Sequence, residues 1–456
     1  MQDRRTRTEY DSLGPVTVPA DALWGAQTQR AIDNFQLSPY RFSRTFLRAL
    51  GMVKTAAAHA NQECDVLDAA VAKAVAAAAS RVAEGEVDDA FPVDVFQTGS
   101  GTSTNMNANE VIARLASEAS GQTIHPNDHV NASQSSNDVI PTTIHVAASL
   151  ALEQGLLPAL GTLRAAIQDR AETLSAYVKT GRTHLMDAMP VRLDQELGAW
   201  AAQLALAEER LTDVLPRLAE LAQGGTAVGS GVNAPEGFAQ SFCKALSEGA
   251  GMTFQPARNH FAALSCQDTA VEASGHMRTL AVALMKMAND LRWMNSGPLA
   301  GLGEIELPAI QPGSSIMPGK VNPVIPEAVA MVAAQVIGND TTVTIAGQSG
   351  NFQLNVMLPV IAHNLLASID LSTKACTAMV PVIEGFQVRA DTLLRVLEKN
   401  PILVTALNRE IGYDKGAAIA KRAYREGRSV MEVALEDSGL DEARLRALLD
   451  PRALTG

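Results

Sequence analysis

LDQELGAWAAQLALAEERLTDVLPRL, running from Leu193 to Leu218, decides the fold class. Leu193, Leu197, Trp200, Leu204, Ala207, Leu211, Leu215 and Leu218 recur at steps of three or four, which lays one apolar stripe along a long helix. Such a stripe is a core face and not a cofactor box. Runs at about 139–175, 265–296 and 325–378 predict further long helices. The Ala-rich stretch from Phe46 to Ala83 adds another helical region, because alanine has the strongest helix propensity. Strand-like alternation is nearly absent, so the predicted class is all-α, with a central bundle of long helices. Aromatic residues make up only 4% of the chain, so Leu, Ala, Val and Met must fill the core. Helices of this length leave apolar faces on a lone chain, and homo-oligomerisation is the expected way to cover them.

A chain of 456 residues exceeds the usual size of one compact core, so two or three structural units are expected. Its 49 acidic against 37 basic residues leave a net charge of −12, which argues against nucleic acid or an anionic membrane as the main partner. No run reaches the roughly 18 uninterrupted apolar residues of a membrane span. The opening MQDRRTRTEYD is too polar for a secretory leader, and Asp3, Glu9 and Asp11 come too early for a mitochondrial one. Cys64, Cys243, Cys266 and Cys376 are far apart and lack metal-type spacing, so a reducing, cytoplasmic compartment is expected, with no zinc site and no disulfide framework.

The reactive side chains cluster in segments between these helices. From Gln97 to Glu110, QTGSGTSTNMNANE puts small hydroxyls and glycines ahead of a helix-like run, leaving backbone N–H groups free for an anion. From His125 to Asn131, HPNDHVN holds two histidines four apart, but Pro126 argues against a helix across them and hence against a helical metal site. SQSSND, Ser133 to Asp138, opens the next helical run. TGRTHLMDAMP, Thr180 to Pro190, reads as a loop carrying His184. QGGTAVGSG, Gln223 to Gly231, has no charge and too loose a glycine pattern for a nucleotide fingerprint; it reads as a turn where helices cross, with Thr226 and Asn233 as edge contacts. The N-terminal part, with Pro15, Pro19 and Gly25, reads as an ordered loop leading into helices.

The densest segment is GSSIMPGKVNP, Gly313 to Pro323. Two hydroxyls, an ammonium and a carboxamide lie on a backbone broken by glycines and prolines, so it must be a loop between two helical regions. Ile316, Met317 and Val321 are unsuited to a solvated linker, and a mobile lid over an anionic substrate is the sharper reading. This segment resembles the signature loop of the fumarase and aspartase superfamily. GSGT with NMNANEV, SQSSND, GRTH and the N-terminal stretch from Thr6 to Phe35 are similar to class II fumarases, and the resemblance covers essentially the whole chain.

The resemblance implies a three-domain fold, with residues 1–133 as an N-terminal mostly helical domain, 134–391 as a central bundle of long helices that forms the core of a tetramer, and 392–456 as a small C-terminal domain. It implies reversible anti addition of water to fumarate, giving L-malate through a carbanion-type intermediate. By position, Ser314 would be the base, Lys320 would hold the developing charge, and His184 polarised by Glu327 would activate water. Ser100, Thr102, Asn105, Ser135, Ser136, Asn137, Thr183 and Asn322 would bind the substrate carboxylates. His125, Asn127 and Asp128 would form a secondary dicarboxylate site, with Gln122 standing where the family has an arginine. No metal or organic cofactor is implied, and the partners are a small dicarboxylate and three copies of the same chain that share active sites. Met186 and Met189 replace the Gln and Thr usual in fumarases, and Val324-Ile325-Pro326 is more like aspartases. An aspartate ammonia-lyase, or a hydratase acting on a related dicarboxylate such as mesaconate, is the alternative; a third reading is a catalytically silent helical protein like a lens crystallin of this superfamily.

Overall fold

The structure, a computed structural model, describes residues 5–456; the first four residues of the opening segment, on which part of the leader reading rests, lie outside the described residues. Strand β1 (Thr6–Asp11) pairs antiparallel with β2 (Gly14–Pro19). The N-terminal part is therefore a hairpin and not the loop expected, with alternating exposure along β1. Helices follow at Ala26–Asn34 (α1), Arg44–Glu63 (α2), Ala69–Glu84 (α3), Thr102–Ser120 (α4), Ser136–Ala151 (α5) and Leu157–Leu174 (α6). A second hairpin, β3 (Val178–Thr183) with β4 (Met186–Arg192), leads into α7 (Leu193–Leu218). Then come α8 (Phe238–Ala250), α9 (His260–Ser265), α10 (Asp268–Met294), α11 (Val324–Gly347) and α12 (Leu358–Gly385), and short helices from Ala390 to Leu448. The class is all-α, with strands confined to two-stranded ribbons among the described residues.

The stripe on α7 is buried as its spacing requires: Leu193, Leu197, Trp200, Leu204, Leu211 and Leu218 are fully inaccessible. Val214, not Leu215, occupies the last core step, because three residues after Leu211 and four before Leu218 keep to the helical period. The run expected from 325 to 378 is broken. A small hairpin, Gly350–Asn351 against Leu354–Asn355, separates α11 from α12. Gly350 is required there, since a Cβ would lie 2.2 Å from the Ser265 carbonyl oxygen.

Two compact units emerge. Residues 5–158, 209–281 and 334–373 form unit I; residues 159–208, 282–333 and 374–456 form unit II. The division falls within α6, α7, α10, α11 and α12, so each of these helices contributes one stretch to each unit. In unit I, α2 packs against α3, α5 and α8, with Phe46, Leu50 and Val53 on its buried face. Unit II contains a small core of Leu403, Leu407, Ile419, Val430, Val433 and Leu445, which accounts for the change in composition near Asp391.

Three helical stretches, Ser136–Leu174, Val324–Gly347 and Leu358–Gly385, are long and apolar enough to cross a membrane by length and composition. Half of the apolar window in the first and third is buried inside the protein, against 33% in the second. Their apolar runs are interrupted by buried polar groups such as Asp138, Asp340 and Ser368. On α11 much of the apolar surface is left uncovered by the described residues of the single chain, with Met331 and Ile345 exposed.

Candidate active site

Unit I joins the N-termini of two helices. Ser100 Oγ and Thr102 Oγ1 are 2.7 Å apart at the start of α4, where Gly101 takes a left-handed conformation (φ 72°). Asn105, buried in the first turns of α4, donates from Nδ2 to Asn131 Oδ1 and to Ser136 Oγ at the start of α5, both at 3.1 Å. Ser135 caps α5 in a reciprocal box with Asp138, and Asn137 Nδ2 donates to the Ala227 carbonyl at 2.8 Å. Free N–H groups and positive dipole ends of two helices therefore meet beside six of the polar side chains expected to bind carboxylate. Buried Asn105 Oδ1 and Thr226 Oγ1 have no hydrogen-bond partner.

The loop from Gln223 does more than let helices cross. Gly224 and Thr226 donate backbone N–H groups to Asp138 Oδ2 at 3.1 and 2.8 Å, while Ser135 N–H reaches Asp138 Oδ1 at 2.9 Å. Burial pushes the Asp138 carboxyl up to about 6, with these N–H groups and the Lys54 charge pulling the other way. Asn233 is exposed and makes no such link. At the other edge, the loop before α4 lies hard against the backbone before α12: a Cβ on Gly99 would sit 1.9 Å from the Val356 carbonyl oxygen. Gly99→Ala is expected to cost on the order of 1–3 kcal/mol through this clash, read as a lower Tm. An unchanged Tm would mean that the loop can slide off Val356 freely.

Asn127 and Asp128 lie exposed on a single π-helical turn, Pro126–Val130, and His125, also exposed, caps it. As expected, no helix runs across both histidines: Pro126 takes the first helical position, where no N–H is needed, and His125 stays extended as the N-cap of the turn. The histidine rings serve the backbone: His125 Nδ1 accepts from Asn127 and Asp128 N–H, and His129 Nδ1 accepts from His125 N–H.

Unit II carries the histidine and the signature loop. TGRTHLMDAMP is a hairpin and not an open loop: Thr183 pairs with Met186, so His184 and Leu185 form its two-residue turn, both with positive φ (56° and 59°). Non-glycine residues are strained there, and the strain presents an exposed imidazole at the tip. The base of the hairpin is anchored by a buried charge cluster. Lys179 Nζ lies 2.6 Å from Glu304 and 2.8 Å from Glu196, and Arg182 Nη2 lies 2.6 Å from Glu304.

The signature loop is closed by its own bonds. Gly313 N–H donates to the Lys320 carbonyl at 2.9 Å, and Asn322 Nδ2 donates to the Gly313 carbonyl at 2.6 Å. A Cβ on Gly313 would lie 2.5 Å from that Lys320 oxygen, so the crossing requires glycine. Ser314 Oγ accepts the backbone N–H of Ile316 at 3.3 Å and of Met317 at 3.1 Å. Lys320 Nζ donates to Asn322 Oδ1 at 2.7 Å. Lys320, Asn322 and Glu327 share the lining of an open cavity of about 830 Å³ with Arg292 and Arg389. Val324, Ile325 and Pro326 begin α11 and line a small apolar cavity with Leu307 and Pro381, so this departure from the fumarase pattern falls on packing.

The single chain thus gathers Ser100, Thr102, Asn105, Ser135, Ser136 and Asn137 in unit I, and Lys320, Asn322 and Glu327 in unit II. Among the described residues, His184 and Glu327 make no hydrogen bond with each other. Sequence reasoning missed Lys54, Asn131 and Gln134 behind the unit I cluster, and the Lys179–Glu304 pair. Lys54 had a signal: it follows Leu50 by four and precedes Ala57 and Ala58 by three and four, on the face of α2 that is buried.

Two family models match the chain, one described as lyase over residues 14–338 and one described as fumarase C C-terminus over residues 403–456. The chain is 60% identical to a class II fumarate hydratase of Xylella fastidiosa (strain Temecula1), over 99% of this chain and 96% of that protein. It is 59% identical to class II fumarate hydratase 2 of Pseudomonas aeruginosa, over 99% and 98%. Among solved structures it is similar to a class II fumarase from Schistosoma mansoni (TM-score 0.96, 36% identity, 99% of both chains). It is also similar to a cobalt-bound fumarate lyase:delta crystallin from Brucella melitensis (TM-score 0.94, 44% identity, 99% of this chain and 100% of that one).

Proposed function

Because the chain belongs to the class II fumarate hydratase family of the fumarase/aspartase superfamily, we propose that it adds water reversibly across the double bond of fumarate to give L-malate, with Ser314 as the base of the reverse reaction. The observation that carries the assignment of the base is the pair of backbone N–H groups, from Ile316 and Met317, aimed at Ser314 Oγ. A serine hydroxyl is a poor base unless its oxyanion is stabilised, and two fixed amide dipoles are the arrangement that stabilises it. In the hydration direction, water forms a bond to one alkene carbon, the electron pair moves to the other carbon and its carboxylate, and the Ser314 hydroxyl delivers a proton to that carbon. Lys320 and Asn322 hold the carboxylate that takes up the charge. His184, polarised by Glu327, takes the proton of the attacking water. The second carboxylate sits at the joined N-termini of α4 and α5, on Ser100, Thr102, Asn105, Ser135, Ser136 and Asn137, with Thr183 at its edge. These groups supply the electrostatics, so the scheme calls on no metal or organic cofactor.

The working form in this proposal is a homotetramer in which different chains lend these loops to one site. The apolar surface of α11 left uncovered by the described residues of the single chain supports such a helical core. Burial of that surface between copies also takes the place of a membrane, and a cytoplasmic enzyme with the division 1–133, 134–391 and 392–456 completes the reading. His125, Asn127 and Asp128 are a secondary dicarboxylate site in the same scheme.

Assay of the purified protein with fumarate, with and without ammonium, tests the reaction. Malate formation in plain buffer is expected, with no loss of fumarate attributable to ammonium. Conversion of aspartate to fumarate with malate untouched would overturn the reading and direct attention to Met186, Met189 and the start of α11.

A further inference from the structure

Lys54 is fully buried in α2, yet among the described residues its ammonium faces no carboxylate at salt-bridge distance. Nζ donates to two amide oxygens, Asn131 Oδ1 at 3.2 Å and Gln134 Oε1 at 3.1 Å. The Asn131 oxygen is shared: Asn105 Nδ2 and Asn109 Nδ2 also donate to it, each at 3.1 Å. Asn105 in turn donates to Ser136 Oγ at the start of α5. A chain of hydrogen bonds thus runs from a buried cation to the carboxamide and hydroxyl that face the joined helix N-termini. Burying an ammonium in this way is costly, and structural needs alone do not require a charge: a neutral side chain of the same length would fill the same space. The charge has a use if an anion docks above it.

We propose that Lys54 is a positioning residue for substrate: through the shared Asn131 oxygen its ammonium orients Asn105 and Ser136, and its positive charge draws a dicarboxylate to the N-termini of α4 and α5. This rests on the function proposed above and adds to it a group that touches no substrate. The protonation of Lys54 is finely poised. Burial pulls its ammonium down to about 7, against the Asp138 carboxylate, which favours the charged form. The other charged residues of the packed helices are Lys73, Arg81 and Glu84 of α3 and Lys244 and Glu248 of α8, all surface groups, while His145 of α5 is engaged with the Glu220 carbonyl. The ammonium is present below its pKa and lost above it, so dicarboxylate affinity should weaken as pH rises through about 7.

The test compares the full-length protein with Lys54→Met, which keeps the length of the side chain and removes its charge. The readouts are kcat and KM for malate across pH, and the inhibition constant of succinate, a dicarboxylate that cannot react. The expected result is a rise of about tenfold or more in KM and in the succinate constant with a much smaller change in kcat, and a loss of the steepening of KM above neutral pH. A folded variant with parental KM and a parental pH profile overturns the proposal. If Lys54→Met does not fold, the parental protein still decides: a succinate constant that is flat through neutral pH overturns the proposal, and one that rises on the alkaline side supports it. A parental protein that neither turns over malate or fumarate nor binds succinate sinks the function proposed above as well, whereas an active parent with an indifferent Lys54 sinks this inference alone.

Discussion

Ser314→Ala is expected to lower kcat by roughly 10²-fold or more, with the fold and the KM for malate close to those of the parent. The bonds that close the loop, Gly313 to Lys320 and Asn322 to Gly313, do not involve the serine oxygen, so the loop keeps its shape without it. What is lost is the oxygen that the Ile316 and Met317 amides hold. Those two N–H groups can turn to water, since both residues are exposed, and no buried donor is stranded. Steady-state turnover of malate, with circular dichroism as the check on folding, reads the result. A near-parental rate would reduce Ser314 to a loop residue.

Mixing two inactive variants should restore activity. Ser314→Ala damages the signature loop and His184→Asn damages the hairpin tip; each homotetramer is expected to be nearly inactive. If one site takes its signature loop and its histidine from different chains, random mixed tetramers have about one site in four with both groups intact, and about a quarter of parental activity returns. If each chain supplied both groups to its own site, no mixture would recover. Light scattering on the parent gives the companion measurement: a tetramer is expected, with activity falling on dilution, and a fully active monomer would contradict the shared-site scheme.

The long helices were legible because their cores are built from a periodic stripe. Leu193 to Leu218 reads as one helix from its spacing and is one, with a one-residue difference between Leu215 and Val214 where the helical period overrides the preference for leucine. The hairpin at His184 was not legible, since tight turns are announced by Asn-Gly or Asp-Gly and this one uses His184 and Leu185 at positive φ. The break between α11 and α12 left a trace in Gly347, Ser349, Gly350 and Asn351, but the apolar residues on both sides mask it. Within the site, hydroxyl and amide residues ahead of a helix announced the cluster of polar side chains at the helix N-termini of unit I. The cation behind it sits in an Ala-rich helix 77 positions before Asn131, and only the fold brings the two together.

The most direct test of the central claim follows fumarate by proton NMR in deuterated buffer without ammonium. Anti addition through a carbanion protonated by one positioned group predicts L-malate carrying a single deuterium at C3, in one diastereomer, with no other product. Fumarate that stays unchanged until ammonium is added and then yields aspartate, or malate labelled in both diastereomers, would contradict the account.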